Sequence, residues 1–338
     1  MTSSRETPSV HPPLNFTRDD NRAALKIAIL GTGAIGLFYG AGLARAGHDV
    51  RFIARSDAEV IRNEGITVST LAGEWRVPPS QFKVFTDVRE AGACDLVFVT
   101  LKAVANASMP ALLPPLDSPD GHTVFVTLQN GMGNVEVLAR LFGAGRATAG
   151  LCFTCNVRTA PGRVTNTQIG RIQFAESEGP ATDRTRWLAS LVESATGAKC
   201  AALDSLARAL WFKLCWNIPF NGLAIAAGGV TTDIICASPP LREIAMDLLR
   251  EVAAAAAADG VEIPGHHIQR QLDDLPKIGA YKPSSLVDYL AGRPVEVEAI
   301  WGEPLRRGLA HNVPMPRLSM LHSLLQHLCA HGQPVRAG

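Results

Sequence analysis

The twelve residues LKIAILGTGAIG, positions 25–36, restrict what this chain can fold into more than any other stretch. An apolar run opens directly onto Gly31, Gly33 and Gly36, and the chain then continues as a helix-forming segment. In that setting the first glycine permits a tight turn, the second lets a pyrophosphate approach the backbone, and the third lets the helix pack on the strand. The helix N-terminus adds unpaired N–H groups and a partial positive charge. Gly31, Thr32, Gly33, Ala34, Ile35 and Gly36 are therefore the candidate cofactor-binding loop.

The segments that follow repeat the same grammar. DVRFIA, CDLVFVT, TVFVTL and KCAAL read as strands alternating with helix-like runs, which predicts a parallel sheet covered by helices on both faces. Between residues 147 and 175 the pattern changes to GLCFTCNVRT, GRVTNT and GRIQFAE, expected as an antiparallel meander near the sheet edge. After about residue 204 only helical patterns remain, including an alanine-rich one after Pro239 and Pro240 that ends near Gly260. The expected organisation is a polar, disordered tail over 1–24, a Rossmann-type α/β domain over 25–203 and an all-helical domain over 204–338, with the active site in the cleft between them. At 338 residues and 47% hydrophobic content, the chain is long enough for two domains.

The formal charge of +1 gives no electrostatic case for nucleic acid or an acidic membrane as partner. Alanine-rich stretches are interrupted by charge before they reach bilayer length, and the first residues lack an apolar core. A cytoplasmic enzyme is expected, and apolar helical surface in the second domain is compatible with a homodimer. Seven scattered cysteines argue against a disulfide framework. Cys152 and Cys155 form a CxxC, but on a strand they point to opposite faces and suit neither zinc nor a redox couple. His266 and His267 follow Pro264 in an expected loop without companion ligands.

The second strand bears on which dinucleotide binds. An NAD site usually ends this strand in an acid, whereas HDVRFIARSD offers Ala54 and then Arg55, suited to a 2′-phosphate and hence to NADP. Ser56 and Asp57, with Glu59 at capping-box spacing, read as helix caps. Two later strands deliver Lys102, and Gln129 with Asn130, to the carboxyl edge where ligands of open α/β sheets bind.

In WFKLCWNIPFNGL, residues 211–223, Lys213, Asn217 and Asn221 recur every four residues. Each step advances about 40° around a helix, so the three share one face. Snorkelling and turn-capping would account for such residues singly. Presented together beside a cofactor loop, they suit a polar substrate.

These motifs, with QNGMG at 129–133 and SSLVDYLAGRPVEVEAIWG at 284–302, resemble the ketopantoate reductase family over residues 26 to about 330. The resemblance implies NADPH-dependent reduction of a 2-oxo acid, 2-dehydropantoate, to pantoate. Lys213 would be the general acid, and Asn130, Asn217, Asn221 and Ser284 would hold the substrate, Ser285 being one residue off in that alignment. Glu296 would orient substrate and cofactor, while Lys102 and Asn130 would line the cofactor cleft. Trp301 and Glu298 depart from the residues common in the family, and Trp301 reads as core. Two rival functions are a reductase of another branched 2-oxo acid and a non-catalytic NADP-sensing protein.

Overall fold

The structure, a computed structural model, describes residues 24–331, so all but the last residue of the expected tail lies outside it. Among the described residues ten strands form one sheet: β1 (Lys26–Leu30), β2 (Asp49–Ile53), β3 (Ile66–Thr70), β4 (Gly73–Val77), β5 (Phe82–Phe85), β6 (Leu96–Val99), β7 (Val124–Thr127), β8 (Ala147–Ala160), β9 (Arg163–Glu176) and β10 (Lys199–Leu203). Their order is β4-β3-β9-β8-β7-β6-β1-β2-β5, with β10 added beside β9. From β5 to β8 every neighbour is parallel. The chain leaves β1 toward β2 on one side and returns to β6 on the other, which makes the carboxyl ends of β1 and β6 the switch point where such sheets bind ligands.

Period-two alternation assigns the two faces of β1. Ile27 and Ile29 join a core with Leu37 and Phe38 of helix Ala34–Arg45 and Leu188 and Val192 of helix Asp183–Thr196. Ala28 and Leu30 point the other way, into a second core that continues without a break through Trp211, Leu248 and Trp301 of the helical region. Sheet and helical domain thus share buried apolar surface, which fixes the geometry of the cleft between them.

Several expectations are corrected. GRVTNT and GRIQFAE are one continuous strand, β9, antiparallel to β8 along its length with bulges. This long hairpin lies inside the sheet, because β9 also pairs with β3 through its first half and with β10 through its second. The alanine-rich helix begins at Pro239 rather than after Pro240 and runs to Ala258; proline at the first turn forfeits only N–H groups that have no helical partner. His266 and His267 lie on helix Gly265–Asp273, where His267 packs on Phe212 with ring centroids 4.5 Å apart. Asp57 does not cap with its side chain, and no Ser56–Glu59 capping box forms.

The polar-rhythm segment is not one uniform α-helix. Helix Leu206–Trp216 widens into a π turn at Asn217–Asn221 and resumes as helix Gly222–Ala226. Pro219 has no N–H to give the preceding turn and its ring would crowd the carbonyl four residues back, so the wider turn accommodates it. A second π turn, Glu298–Gly302, packs nearby. Trp301 on it is fully buried, as its reading as core requires, and its indole N–H donates to Ile218 O at 2.9 Å. Glu298 instead faces the surface, joined to Arg306, His322 and Gln326. All seven cysteines are free, and among the described residues no helix is long and apolar enough to cross a membrane.

Candidate active site

The glycine loop sits at the switch point, between β1 and helix Ala34–Arg45. A side chain at Gly36 would collide with Gly31 O, so only glycine lets the helix start this close to the turn. Gly33 is the opposite case: a Cβ there would meet no atom within 4 Å, leaving the backbone open to a pyrophosphate. Thr100, which sequence reasoning passed over, donates its hydroxyl to Gly31 O at 2.8 Å and steadies the loop from the position just after β6. Arg55 is exposed just beyond β2 and enters no ion pair among the described residues. The loop fits the pyrophosphate of a nicotinamide dinucleotide.

Lys102 reaches across the cleft, pairing with Asp288 at 2.6 Å and donating to Pro294 O at 2.6 Å. Glu296 crosses in the other direction and accepts from the Ala103 N–H at 2.9 Å. These contacts hold the RPVEV segment against the end of β6. Asn130 stands beyond β7, in a turn whose Gly131 has φ +88° and lies so close to Ala299 that no side chain fits. Met132 N–H donates to Ala299 O at 2.8 Å, tying the same turn to the second π segment. Gln129 serves a supporting role: it bonds Asn106, which bonds Asn134, which in turn donates to Asn130 O. Asn134 was missed because a polar residue opening a helix ordinarily reads as a cap; its letters adjoin QNGMG and were the available signal.

Lys213 meets this wall. Its ammonium donates to Asn130 Oδ1 and to Cys152 O, both at 3.0 Å, and lies 5.2 Å from the centre of the Phe153 ring. Asn221 is buried and donates to Ser285 Oγ at 3.1 Å. Ser284, favoured by alignment to the family, is exposed at the start of its helix, whereas Ser285 is buried against Asn221. The difference follows from helix phase: adjacent residues lie about 100° apart, so the two serines face different ways. Asn217 is buried too, and its side chain has no hydrogen-bond partner among the described residues.

Burial dominates the electrostatics. It pushes the Lys213 ammonium below its ordinary pKa, with Cys152 and Glu296 pulling upward and Arg171 adding to the depression. It also pushes the Glu296 carboxyl above its ordinary value, against the Ala103 N–H, Lys102 and Lys213, which favour the charged form. The Cys152 thiol is pushed up to about 11 by burial, so Cys152 supplies no ready thiolate. Among the described residues no cluster of His, Cys, Asp and Glu could hold a metal ion.

Residues 27–179 match the family model described as Ketopantoate reductase PanE/ApbA, and residues 205–328 match that of its C terminal part. A 2-dehydropantoate 2-reductase from Nostoc sp. is 36% identical over 308 residues, which cover 90% of this chain and 95% of the relative. The crystal structure of 2-dehydropantoate 2-reductase from Geobacter metallireducens is similar with a TM-score of 0.84 at 40% identity, covering 89% of this chain and 99% of that one. A ternary structure of D-mandelate dehydrogenase with NADH and anilino(oxo)acetate shares the fold, with a TM-score of 0.80 at 21% identity over 90% of this chain and 98% of that one. Matched in both halves and by relatives that span nearly its whole described length, the chain belongs to the ketopantoate reductase family, a family of oxidoreductases.

Proposed function

We propose that this protein reduces 2-dehydropantoate to pantoate with NADPH, and that Lys213 is the proton donor. The observation that carries the reading is the state of the Lys213 ammonium. It has three N–H bonds. Two are directed at Asn130 Oδ1 and Cys152 O, which leaves one for a substrate oxygen in a desolvated setting.

NADPH supplies the hydride when bound. The backbone of Gly31, Thr32, Gly33, Ala34, Ile35 and Gly36 would hold its pyrophosphate, Arg55 its 2′-phosphate, and Lys102, Asn130 and Glu296 would line the cleft. Negative charge grows on the carbonyl oxygen of a 2-oxo acid as it is reduced, and a fixed ammonium both stabilises that charge and passes a proton to it. Asn217 brings an unpaired amide, and Asn221 with Ser285 brings a linked amide and hydroxyl, to receive the carboxylate and hydroxyl of the substrate without adding net charge. Buried Glu296 offsets the cost of burying Lys213. We also read the protein as a homodimer, supported by Met320 and Leu324, which stand half exposed at i,i+4 spacing on helix Pro316–His331.

The direct test is consumption of NADPH by purified protein. The rate with 2-dehydropantoate is expected to exceed that with unbranched and other branched 2-oxo acids. A faster rate with one of those would reassign the substrate, and NADPH binding without turnover on any of them would leave only a sensor.

The pH profile is a second test. The proton donor must be charged at the start of the step, so kcat is full on the acid side of the Lys213 pKa and falls as pH rises through it. Because burial lowers that pKa, the alkaline limb is expected below the ordinary lysine value of about 10.4. A limb at or above the ordinary value in single-turnover measurements would argue against a desolvated lysine.

A further inference from the structure

Asp57 stands two residues beyond Arg55, four past the last residue of β2 and just before helix Ala58–Glu64, close along the chain to where an acid would take a ribose 2′-hydroxyl and repel a 2′-phosphate. It is 2% exposed, yet its carboxylate caps no helix. Both of its oxygens lie 2.9 Å from Arg158 Nη2, and Ser56 Oγ donates to Oδ1 at 2.9 Å. Arg158 belongs to β8, so the long hairpin delivers a cation to an element 101 residues earlier in the chain.

We infer that Arg158 is a specificity-determining residue: it sequesters Asp57, and so keeps the end of β2 selective for a 2′-phosphorylated cofactor. The inference rests on the NADPH reading above. A buried carboxylate needs a partner, and removing only that partner leaves an unpaired charge that must turn toward water or take up a proton. Turning outward brings Asp57 to the surface occupied by Arg55, where it competes for the guanidinium and opposes a phosphate. With Arg158 in place the Asp57 charge is matched, and Arg55, without an ion-pair partner among the described residues, keeps the local balance positive. The architecture does not decide this preference by itself, since D-mandelate dehydrogenase with NADH shares it.

The test compares 2′,5′-ADP with 5′-ADP by calorimetric titration of the wild-type full chain and of Arg158→Met, Arg158→Gln and Asp57→Asn/Arg158→Met, alongside kcat/KM for NADPH and NADH. Wild type is expected to bind the 2′-phosphorylated fragment at least about tenfold more tightly. In R158M and R158Q that ratio is expected to fall by about tenfold, and in the double variant, which has no carboxylate to release, most of it is expected to return. A purely structural role for Arg158 would weaken both fragments alike and leave the ratio unchanged, which overturns the inference. Should R158M not fold, R158Q, which removes the cation that matches Asp57 but keeps a polar side chain, and the double variant, which buries no unpaired charge, carry the same comparison. A wild-type protein with no preference would instead overturn the NADPH reading itself.

Discussion

Lys213→Ala is expected to lower kcat by about 10²–10⁴-fold, the range that a positioned general acid contributes, or roughly 3–5 kcal/mol of transition-state stabilisation. Two losses combine. The proton donor disappears, and the charge that stabilises the developing oxyanion goes with it. NADPH binding should change little, because the glycine loop and Arg55 stand on other elements. Lys213→Arg keeps a charge but is not expected to restore the rate: guanidinium holds its proton too tightly, and its planar fork does not match the Asn130 and Cys152 acceptors met by the ammonium. Single-turnover hydride transfer, followed by NADPH absorbance, separates chemistry from product release. Full turnover by the alanine variant would refute the proposed mechanism, and a circular dichroism melt would show whether it remains folded.

Trp301→Ala should be the most destabilising single change near the site, by about 3–5 kcal/mol, as for other large-to-small aromatic truncations in cores. The indole is fully buried and packs on Gly222, where a Cβ would come within 2.8 Å of its Nε1. Its removal opens a cavity and leaves Ile218 O without the indole donor. Ile218 lies inside the π turn between Asn217 and Asn221, so the damage should reach substrate binding as well as stability. Trp301→Phe separates the contributions. It keeps most of the packing, and its expected cost is about 1 kcal/mol for the missing hydrogen bond, with a raised KM for the 2-oxo acid and little change in KM for NADPH. Denaturant unfolding and substrate titration read the two effects. A Trp301→Ala protein as stable as wild type would show that the two π turns do not brace one another.

How far the site could be read beforehand depended on whether a residue's role is local or relational. LKIAILGTGAIG is local: a strand, a turn and a helix start follow from consecutive residues, and the structure reproduces them. The step of four from Lys213 to Asn221 is also local, although Pro219 converts part of that helix into a π turn that periodicity does not anticipate. Ser284 and Ser285 are the contrary case. Choosing between them requires the phase of a short helix against Asn221, and that phase comes from packing. Asp57 is similar, since its pattern suggested a cap and its partner Arg158 comes from another part of the sheet.

Order along the chain, the alternation of strands and helices and the spacing of Gly31, Gly33 and Gly36 sufficed to establish a dinucleotide-type sheet followed by helices, because backbone conformation and side-chain periodicity are set by near neighbours. Only the folded molecule decided which serine turns inward, that Arg158 rather than a helix end holds Asp57, and that Lys213 is shared between Asn130 and Cys152. Those outcomes depend on burial and on partners far away in the chain, where desolvation makes each polar group find its mate, and no local pattern encodes them.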